Sequence, residues 1–187
     1  MFHKCPTLEA NRVILSPIDS SMALDLFNMW STEGYAEISG FDKPEKISVV
    51  SAAVEDFREL NQSGCYFKWA IRNKMSGSFL GECELYAIRP QIRPCIEWAI
   101  GFSLKKDVWG KGFMTEALER ILKFAFQEFI VNRIKADVLP ENIKSRKILE
   151  KLGFEYEGLQ KSKNFINGTF RSMALMAHTR QRYHENI

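Results

Sequence analysis

Two glycines bracket a lysine directly before a helical pattern, in the stretch DVWGKGFMTEA at residues 107–117. Glycine is unfavourable near the start of a helix unless the backbone needs an unusual conformation or a ligand must approach closely. A helix N-terminus carries unpaired N–H groups and the positive end of the helix dipole. The loop formed by Gly110, Lys111 and Gly112 therefore predicts a site for an anion, with phosphate as the candidate ligand.

Three interpretations of this glycine loop compete. The glycines could simply turn the chain from a strand into a helix. A nucleotide-binding motif could be present, but a P-loop needs Ser or Thr after the Gly-Lys pair and a dinucleotide fingerprint needs a third glycine. The remaining interpretation is a pyrophosphate held by successive backbone N–H groups, with the missing Cβ of Gly112 leaving room for it.

Hydrophobic periodicity predicts the elements that must position this loop. Strands are expected at residues 12–18, 66–73, 79–88, 95–104 and 132–139, with a closing hairpin of strands within 154–165 and 169–178 around Asn167-Gly168. Helices are expected after Asp19, over 46–61, from Met114 onward and over 142–152. This order predicts an α/β (α+β) fold: a mixed, mostly antiparallel twisted sheet of about seven strands with helices on both faces.

The strand at 66–73 illustrates how the alternation is interpreted. Phe67, Trp69 and Ile71 alternate with Tyr66 and Lys68 and with an arginine at position 72. This pattern is typical of a strand that buries one face and exposes the other.

Length and composition bound the function. The 187 residues fit a single domain spanning 1–187, and a net charge of +3 without basic blocks does not favour nucleic-acid or membrane partners. No long apolar stretch or signal-peptide pattern is present, so a cytoplasmic location is expected. The four cysteines lack metal-ligand spacing, which predicts reduced thiols and no metal site.

A second segment narrows the interpretation of the glycine loop. PENIKSRKILEKLGF at 140–154, taken with IGFSLKKDVWGKGFMTEAL at 100–118, resembles the GNAT superfamily of acetyl-CoA-dependent N-acetyltransferases. The opening TLEANRVILSPI at 7–18 is similar to the branch containing the ribosomal-protein alanine and serine N-acetyltransferases. The resemblance covers nearly the whole chain, and it implies the GNAT fold with acetyl-CoA as cosubstrate and an amine as acceptor.

The resemblance implies roles for two groups of residues. The end of one strand would pair its backbone with the pantetheine arm, and the glycine loop would bind the pyrophosphate. Asn142 would hydrogen-bond the arm, and Ser145 would lie near the sulfur and assist the leaving thiolate. The residues assigned to cofactor binding on this basis are Phe102, Ser103, Leu104, Trp109, Gly110, Lys111, Gly112, Phe113, Met114, Thr115, Asn142 and Ser145.

Acetyl transfer to an amine also needs a route for the amine's proton. Glu97 is the candidate base, because it shares a strand face with Ala99, where the branch often carries glutamate. Glu82 and Glu84 on the neighbouring strand are the alternatives.

Departures from the family pattern leave other functions open. Leu149 and Asn164 occupy positions where some relatives carry acid–base residues. The acceptor could be the N-terminal amine of a ribosomal protein, or a small amine such as a polyamine or an aminoglycoside. A catalytically silent acetyl-CoA-binding module is the alternative from another class. The loops around 31–45 and 86–94 are expected to shape the acceptor pocket without naming the acceptor, and the protein could be a monomer or a homodimer.

Overall fold

The computed structural model describes residues 4–35, 42–92, 94–166 and 168–185. One eight-stranded sheet runs through this part of the chain. Its strands are β1 (Leu8–Glu9), β2 (Val13–Pro17), β3 (Tyr66–Asn73), β4 (Phe79–Ala87), β5 (Glu97–Leu104), β6 (Arg133–Val138), β7 (Glu155–Ile166) and β8 (Thr169–Thr179).

The sheet confirms the predicted architecture and adds one strand to it. The spatial order is β1-β2-β3-β4-β5-β6-β8-β7, and every neighbouring pair is antiparallel except β5 with β6. The additional strand is β1, which pairs only Leu8 and Glu9 with β2. Two residues are too few to show an alternating pattern, so the sequence analysis missed this strand.

The helices lie close to their predicted positions. In the described residues they are α1 (Ala23–Trp30), α2 (Ile47–Leu60), α3 (Phe113–Glu128), α4 (Ile143–Lys151) and α5 (Arg180–Glu185). α5 was not predicted, because six residues are too few to establish a helical period. None of the helices in the described ranges is long and apolar enough to cross a membrane.

Helices cover both faces of the sheet, as predicted. α3 and α4 cover one face, where Leu118 and Leu149 share a core with Phe67 of β3. α1 and α2 cover the other face, with a separate core that includes Leu26 and Val54. The chain reaches β6 from β5 through α3, which supplies the crossover that a parallel pair requires.

The interpretation of β3 as half-exposed is wrong at Lys68. Its residue surface is only 7% exposed, although it alternates with Phe67 and Trp69. α1 and α2 lie over this face, and Lys68 Nζ is 4.4 Å from the ring centre of Phe57 and 6.0 Å from that of Trp30. A lysine buried by a second layer of helices must find partners for its charge there.

The closing hairpin joins β7 to β8 with Ile166 paired to Thr169. Gly168 has a φ of 73°, the left-handed conformation that a tight hairpin turn requires. Asn167, the other predicted turn residue, lies outside the described residues.

Candidate active site

A cleft opens where β5 and β6 stop pairing. The two strands pair over three positions, Glu97–Ala99 of β5 with Arg133–Lys135 of β6. The last five residues of β5 therefore have no partner on β6. A cavity of about 1260 Å³ lies there, lined by residues 100–104 on one side and 136–139 on the other. An unpaired strand edge inside a protein needs another hydrogen-bonding partner, and a bound ligand can provide it.

The direction of the β5 backbone shows which groups face this cleft. Glu97 C=O accepts from Ile88 N–H at 3.0 Å, and Lys105 N–H donates to Leu80 C=O at 2.9 Å. Odd-numbered residues of β5 therefore direct their backbone toward β4, and the even-numbered Phe102 directs its own toward the cleft.

The predicted cofactor strand is thus corrected at one position. The backbone of Phe102 and the N–H of Leu104 face the cleft, as pairing with a pantetheine arm would require. The backbone of Ser103 pairs with Glu82 of β4. Only the Ser103 side chain reaches the cavity, from the face of the sheet opposite to the Phe102 side chain. The carbonyl of Leu104 is already occupied, because it accepts from Trp109 Nε1 at 2.9 Å.

The glycine loop continues the cleft at the start of α3. Gly110 has a φ of 75° and Gly112, the N-cap of α3, a φ of 80°. Both positions therefore favour glycine, which adopts a left-handed backbone without strain. A Cβ on Gly112 would lie 3.2 Å from Arg12 Nη2, and one on Gly110 would meet nothing within 4 Å.

The first turn of α3 presents free donors to the cavity. Phe113, Met114 and Thr115 line it together with Gly110 and Gly112. No backbone or side-chain acceptor among the described residues takes the N–H groups of Phe113, Met114 and Thr115. Unpaired N–H groups at the positive end of a sixteen-residue helix favour an anion.

The other two predicted loop residues differ in their position. Trp109 lines the cavity, and Lys144 of α4 places its ammonium 4.3 Å from the centre of the indole ring. Lys111 directs its ammonium to the carbonyl of Asp107 at 3.1 Å and does not line the cavity. The ammonium of Lys111 is therefore held by the loop itself and is not directed into the cavity.

α4 borders the cleft on the side of β6. Asn142 is its N-cap, and the side-chain oxygen accepts from Ser145 N–H at 3.1 Å. Ser145 is therefore not the capping residue. Its hydroxyl makes no hydrogen bond with the described residues and lines the cavity. A free hydroxyl at this position is available to a ligand.

Glu97 lies away from these groups. Its carboxylate is 3.3 Å from Arg133 Nε and 3.9 Å from Arg89 Nη2, at the closed end of the β5–β6 pair. It does not line the cavity, whereas Ala99 does. The structure therefore does not bring the predicted base to the cleft.

Two other carboxylates reach the cavity around Lys68. Lys68 Nζ lies 3.0 Å from Glu82 Oε2, without hydrogen-bond geometry, and 3.2 Å from Glu84 Oε2, to which it donates. All three residues line the cavity. Tyr66 also donates to Glu84 Oε2, at 2.7 Å. One cation between two carboxylates gives this wall an acidic character.

Glu82 is held by several donors. Its Oε1 accepts from Trp30 Nε1 at 2.7 Å, from Ser103 Oγ at 3.3 Å and from the Tyr35 hydroxyl at 3.5 Å. The hydroxyl oxygens of Tyr35 and Ser103 are hydrogen-bonded to each other at 2.8 Å. These contacts fix Glu82 as a structural element of the wall.

Glu84 is the more accessible carboxylate. Its side chain is 19% exposed, compared with 7% for Glu82. A Cβ on Gly101 would lie 2.8 Å from Glu84 Oε1, so the glycine in β5 leaves the space that Glu84 occupies. No described residue donates to Oε1, which remains available to a ligand.

The surroundings of Glu84 determine its charge. Burial alone would raise its pKa, but Lys68 and the Tyr66 hydroxyl outweigh it and hold the pKa below the ordinary value. Burial also opposes the charge of Lys68, yet Glu82 and Glu84 hold the pKa of its ammonium above the ordinary value. The pKa of Tyr66 is raised by burial and by Glu84, so Tyr66 stays a donor.

Sequence reasoning named Glu82 and Glu84 only as alternatives and missed Lys68 and Tyr66 as their partners. A signal was available, because Lys68 shares a face of β3 with Tyr66. Two helices were predicted ahead of this strand, and they had to cover one face of the sheet. A lysine and two glutamates under that cover could be expected to pair.

No group of three or more His, Cys, Asp or Glu side chains in the described ranges is arranged to hold a metal ion.

Comparisons with known proteins agree with this geometry. The family model described as "Acetyltransferase (GNAT) domain" matches residues 12–155. The uncharacterized N-acetyltransferase YoaA of Bacillus subtilis is 26% identical over 164 residues, covering 88% of this chain and 91% of its own. The [ribosomal protein uS5]-alanine N-acetyltransferase of Escherichia coli is 36% identical over 122 residues, covering 65% and 61%.

A solved structure confirms the fold at low sequence identity. Mycobacterium smegmatis RimJ, described in complex with CoA-disulfide, superposes with a TM-score of 0.80 at 21% identity. The match covers 97% of this chain and 94% of that protein.

Proposed function

The chain belongs to the acetyltransferase (GNAT) domain family and is an acetyl-CoA-dependent N-acetyltransferase, and from that premise we propose that its acceptor is the N-terminal amine of a ribosomal protein. The alanine N-acetyltransferase of E. coli, which acts on ribosomal protein uS5 by its name, supports this acceptor. The acidic wall around Glu84 supports a cationic acceptor, since an amine arrives protonated.

Acetyl-CoA as the cosubstrate is supported by the unpaired edge of β5 beside the free N–H groups of α3. Phe102 and Leu104 would bind the amides of the pantetheine arm as a neighbouring strand does. The N–H groups from Gly110 through Thr115 would bind the pyrophosphate. Asn142, which borders the same cavity, would contact the arm.

Acetyl-CoA supplies a thioester whose carbonyl carbon is open to attack by an amine. Glu84 takes the proton of the incoming ammonium on Oε1, directly or through water, and so frees the nitrogen lone pair for attack. The sulfur leaves with the electron pair of the C–S bond as a thiolate, which accepts a hydrogen bond from Ser145, because Leu149 has no hydroxyl to offer. The second proton that the nitrogen must lose passes to this thiolate, directly or through water. No covalent bond to the protein is formed in this proposal.

We further propose that the chain works as a single domain in the cytoplasm, as a monomer or a homodimer, on an amine acceptor rather than on nucleic acid or a membrane.

Release of free CoA thiol, measured against a panel of acceptors, tests the proposal. The panel contains peptides that begin with alanine or serine, the same peptides with a formylated N-terminus, polyamines and aminoglycosides. We expect turnover only with the unblocked peptides. Turnover confined to polyamines or aminoglycosides would replace the acceptor, and acetyl-CoA binding without turnover on any of them would favour a binding module.

A further inference from the structure

Arg12, at the entrance to β2, ties the N-terminal part of the sheet to the glycine loop. Its Nη1 donates to the carbonyl of Lys111 at 3.0 Å, and its Nε donates to Glu116 Oε2 at 2.8 Å. The guanidinium also lies 4.9 Å from the centre of the Phe113 ring. One planar side chain thus contacts three residues of the loop and of the first turn of α3.

Glu116 would be an unfavourable residue for an anion site if its carboxylate faced the cavity. The carboxylate instead accepts from three donors at the start of β2: the backbone N–H and Nε of Arg12, which precedes the strand, and the backbone N–H of Val13 at 3.3 Å. Glu116 does not line the cavity. The carboxylate is therefore held outside the cavity that receives the anion.

The contact with Lys111 fixes the orientation of a peptide group. In a planar trans peptide the C=O of one residue and the N–H of the next point in opposite directions. Because Arg12 holds the Lys111 carbonyl on the outer side of the loop, the N–H of Gly112 points away from Arg12. Gly112 lines the cavity, so this is the side where a pyrophosphate would lie.

We propose that Arg12 and Glu116 form a clamp that holds the Lys111–Gly112 peptide in the orientation needed to bind the pyrophosphate of CoA. Both are positioning residues, since they act through the loop backbone and neither lines the cavity. The inference rests on the proposed binding of CoA in this cleft, and it is independent of which amine is the acceptor.

Long-range electrostatics alone would give opposite signs for the two residues. Removing the positive charge of Arg12 would weaken the binding of an anion, and removing the negative charge of Glu116 would strengthen it. The clamp predicts that both changes weaken binding. It also predicts that Arg12→Lys weakens binding, because a lysine keeps the charge and loses the planar fork that reaches both acceptors.

Calorimetric titration with CoA tests this on wild type, Arg12→Lys, Arg12→Gln, Glu116→Gln and the double variant Arg12→Gln/Glu116→Gln. We expect each single variant to bind CoA roughly fivefold more weakly or worse, in proportion to the loss of about one hydrogen bond's contribution. The double variant should be little weaker than the singles, since the two residues act as a unit.

Two controls separate the clamp from general destabilisation. Lys74→Gln removes the 2.9 Å ion pair with Glu9 at the same end of the sheet and should leave CoA affinity unchanged. S-Acetylpantetheine, which lacks the phosphates, should bind all variants as it binds wild type in an NMR titration.

Tighter CoA binding by Glu116→Gln, unchanged binding by Arg12→Lys, or equal losses for CoA and S-acetylpantetheine would each overturn the clamp. These results would leave the proposed function standing, provided that wild type binds CoA. A wild type that binds no CoA would overturn both.

Discussion

Ser145 and Asn142 divide two tasks at the start of α4. Asn142 caps the helix, and the Ser145 hydroxyl is left free at the wall of the cavity. A cap acts on folding, whereas a donor to the leaving thiolate acts on the transition state. Removing the Asn142 side chain should therefore lower stability, whereas removing the Ser145 hydroxyl should lower the catalytic rate.

Ser145→Ala should lower kcat by roughly tenfold, the loss expected for one hydrogen bond to developing charge, with KM for acetyl-CoA close to wild type. Its melting temperature should not change. The matched variant Asn142→Ala should lower the free energy of unfolding by about 1 kcal/mol, because it removes the cap. Steady-state kinetics and thermal melts of both variants check this. A Ser145→Ala variant with normal kcat would show that water, and not Ser145, donates the hydrogen bond to the leaving thiolate.

Glu84 and Glu97 form a second contrasting pair. We expect Glu84→Gln to lower kcat by about 10²-fold, the low end for general acid–base catalysis, without changing the affinity for acetyl-CoA. Glu97→Gln should keep wild-type kcat, because its carboxylate pairs with Arg133 outside the cavity. Rates measured across pH 6–9, roughly the range in which amine acceptors deprotonate, provide the comparison. The reverse pattern would restore Glu97 as the base.

The sequence could predict the surroundings of Ser145 but not those of Glu84. The motif around Ser145 could be recognised because its neighbours share a helix with it, and local order fixes their spacing. The position of Glu84 depends on three strands, on the missing Cβ of Gly101 and on the burial of Lys68 by α1 and α2. Such a combination of distant segments leaves no local pattern in the sequence.

The cleft arises because β5 and β6 pair over only three positions and then separate. Periodicity predicted both strands, because it reports which residues are buried. It could not show where their pairing ends, since this depends on hydrogen bonds between distant segments. The pair of glycines could be recognised in the sequence as a special backbone position, but their left-handed conformation appeared only in the structure.

Gly112→Ala should cost about 1 kcal/mol of stability, because an L-residue is strained at its φ of 80°. It should also weaken CoA binding about tenfold, because the new Cβ would lie 3.2 Å from Arg12 Nη2 and displace the loop that carries the free N–H groups. Gly77→Ala is the matched control. Gly77 lies in the turn between β3 and β4 with a φ of 69° and open space around its Cβ position. It should show the same loss of stability with unchanged CoA affinity. Equal affinities in the two variants would remove the phosphate role from Gly112.

The free energy of unfolding should depend on pH through the cluster of Lys68, Glu82 and Glu84. The folded pKa of Glu84 lies below its ordinary value, so its contribution to stability is complete above about pH 4.3, the ordinary glutamate pKa. This contribution is lost as the pH falls through the folded pKa. Denaturant unfolding of wild type and Glu84→Gln between pH 2 and 7, the interval that spans the carboxyl pKa values, should show a shallower acid decline in the variant. Parallel curves would contradict the paired state of Glu84.

We expect the unpaired edge of β5 and the start of α3 to bind acetyl-CoA together. Residue-level amide hydrogen exchange, measured with and without saturating CoA, tests this binding site. We expect the N–H groups of Phe102, Leu104 and Phe113–Thr115 to exchange more slowly in the complex. Ser103 should change least, because its N–H is already paired with β4. If saturating CoA leaves Phe102, Leu104 and the first turn of α3 unprotected, or protects a different surface, acetyl-CoA does not bind in this cleft.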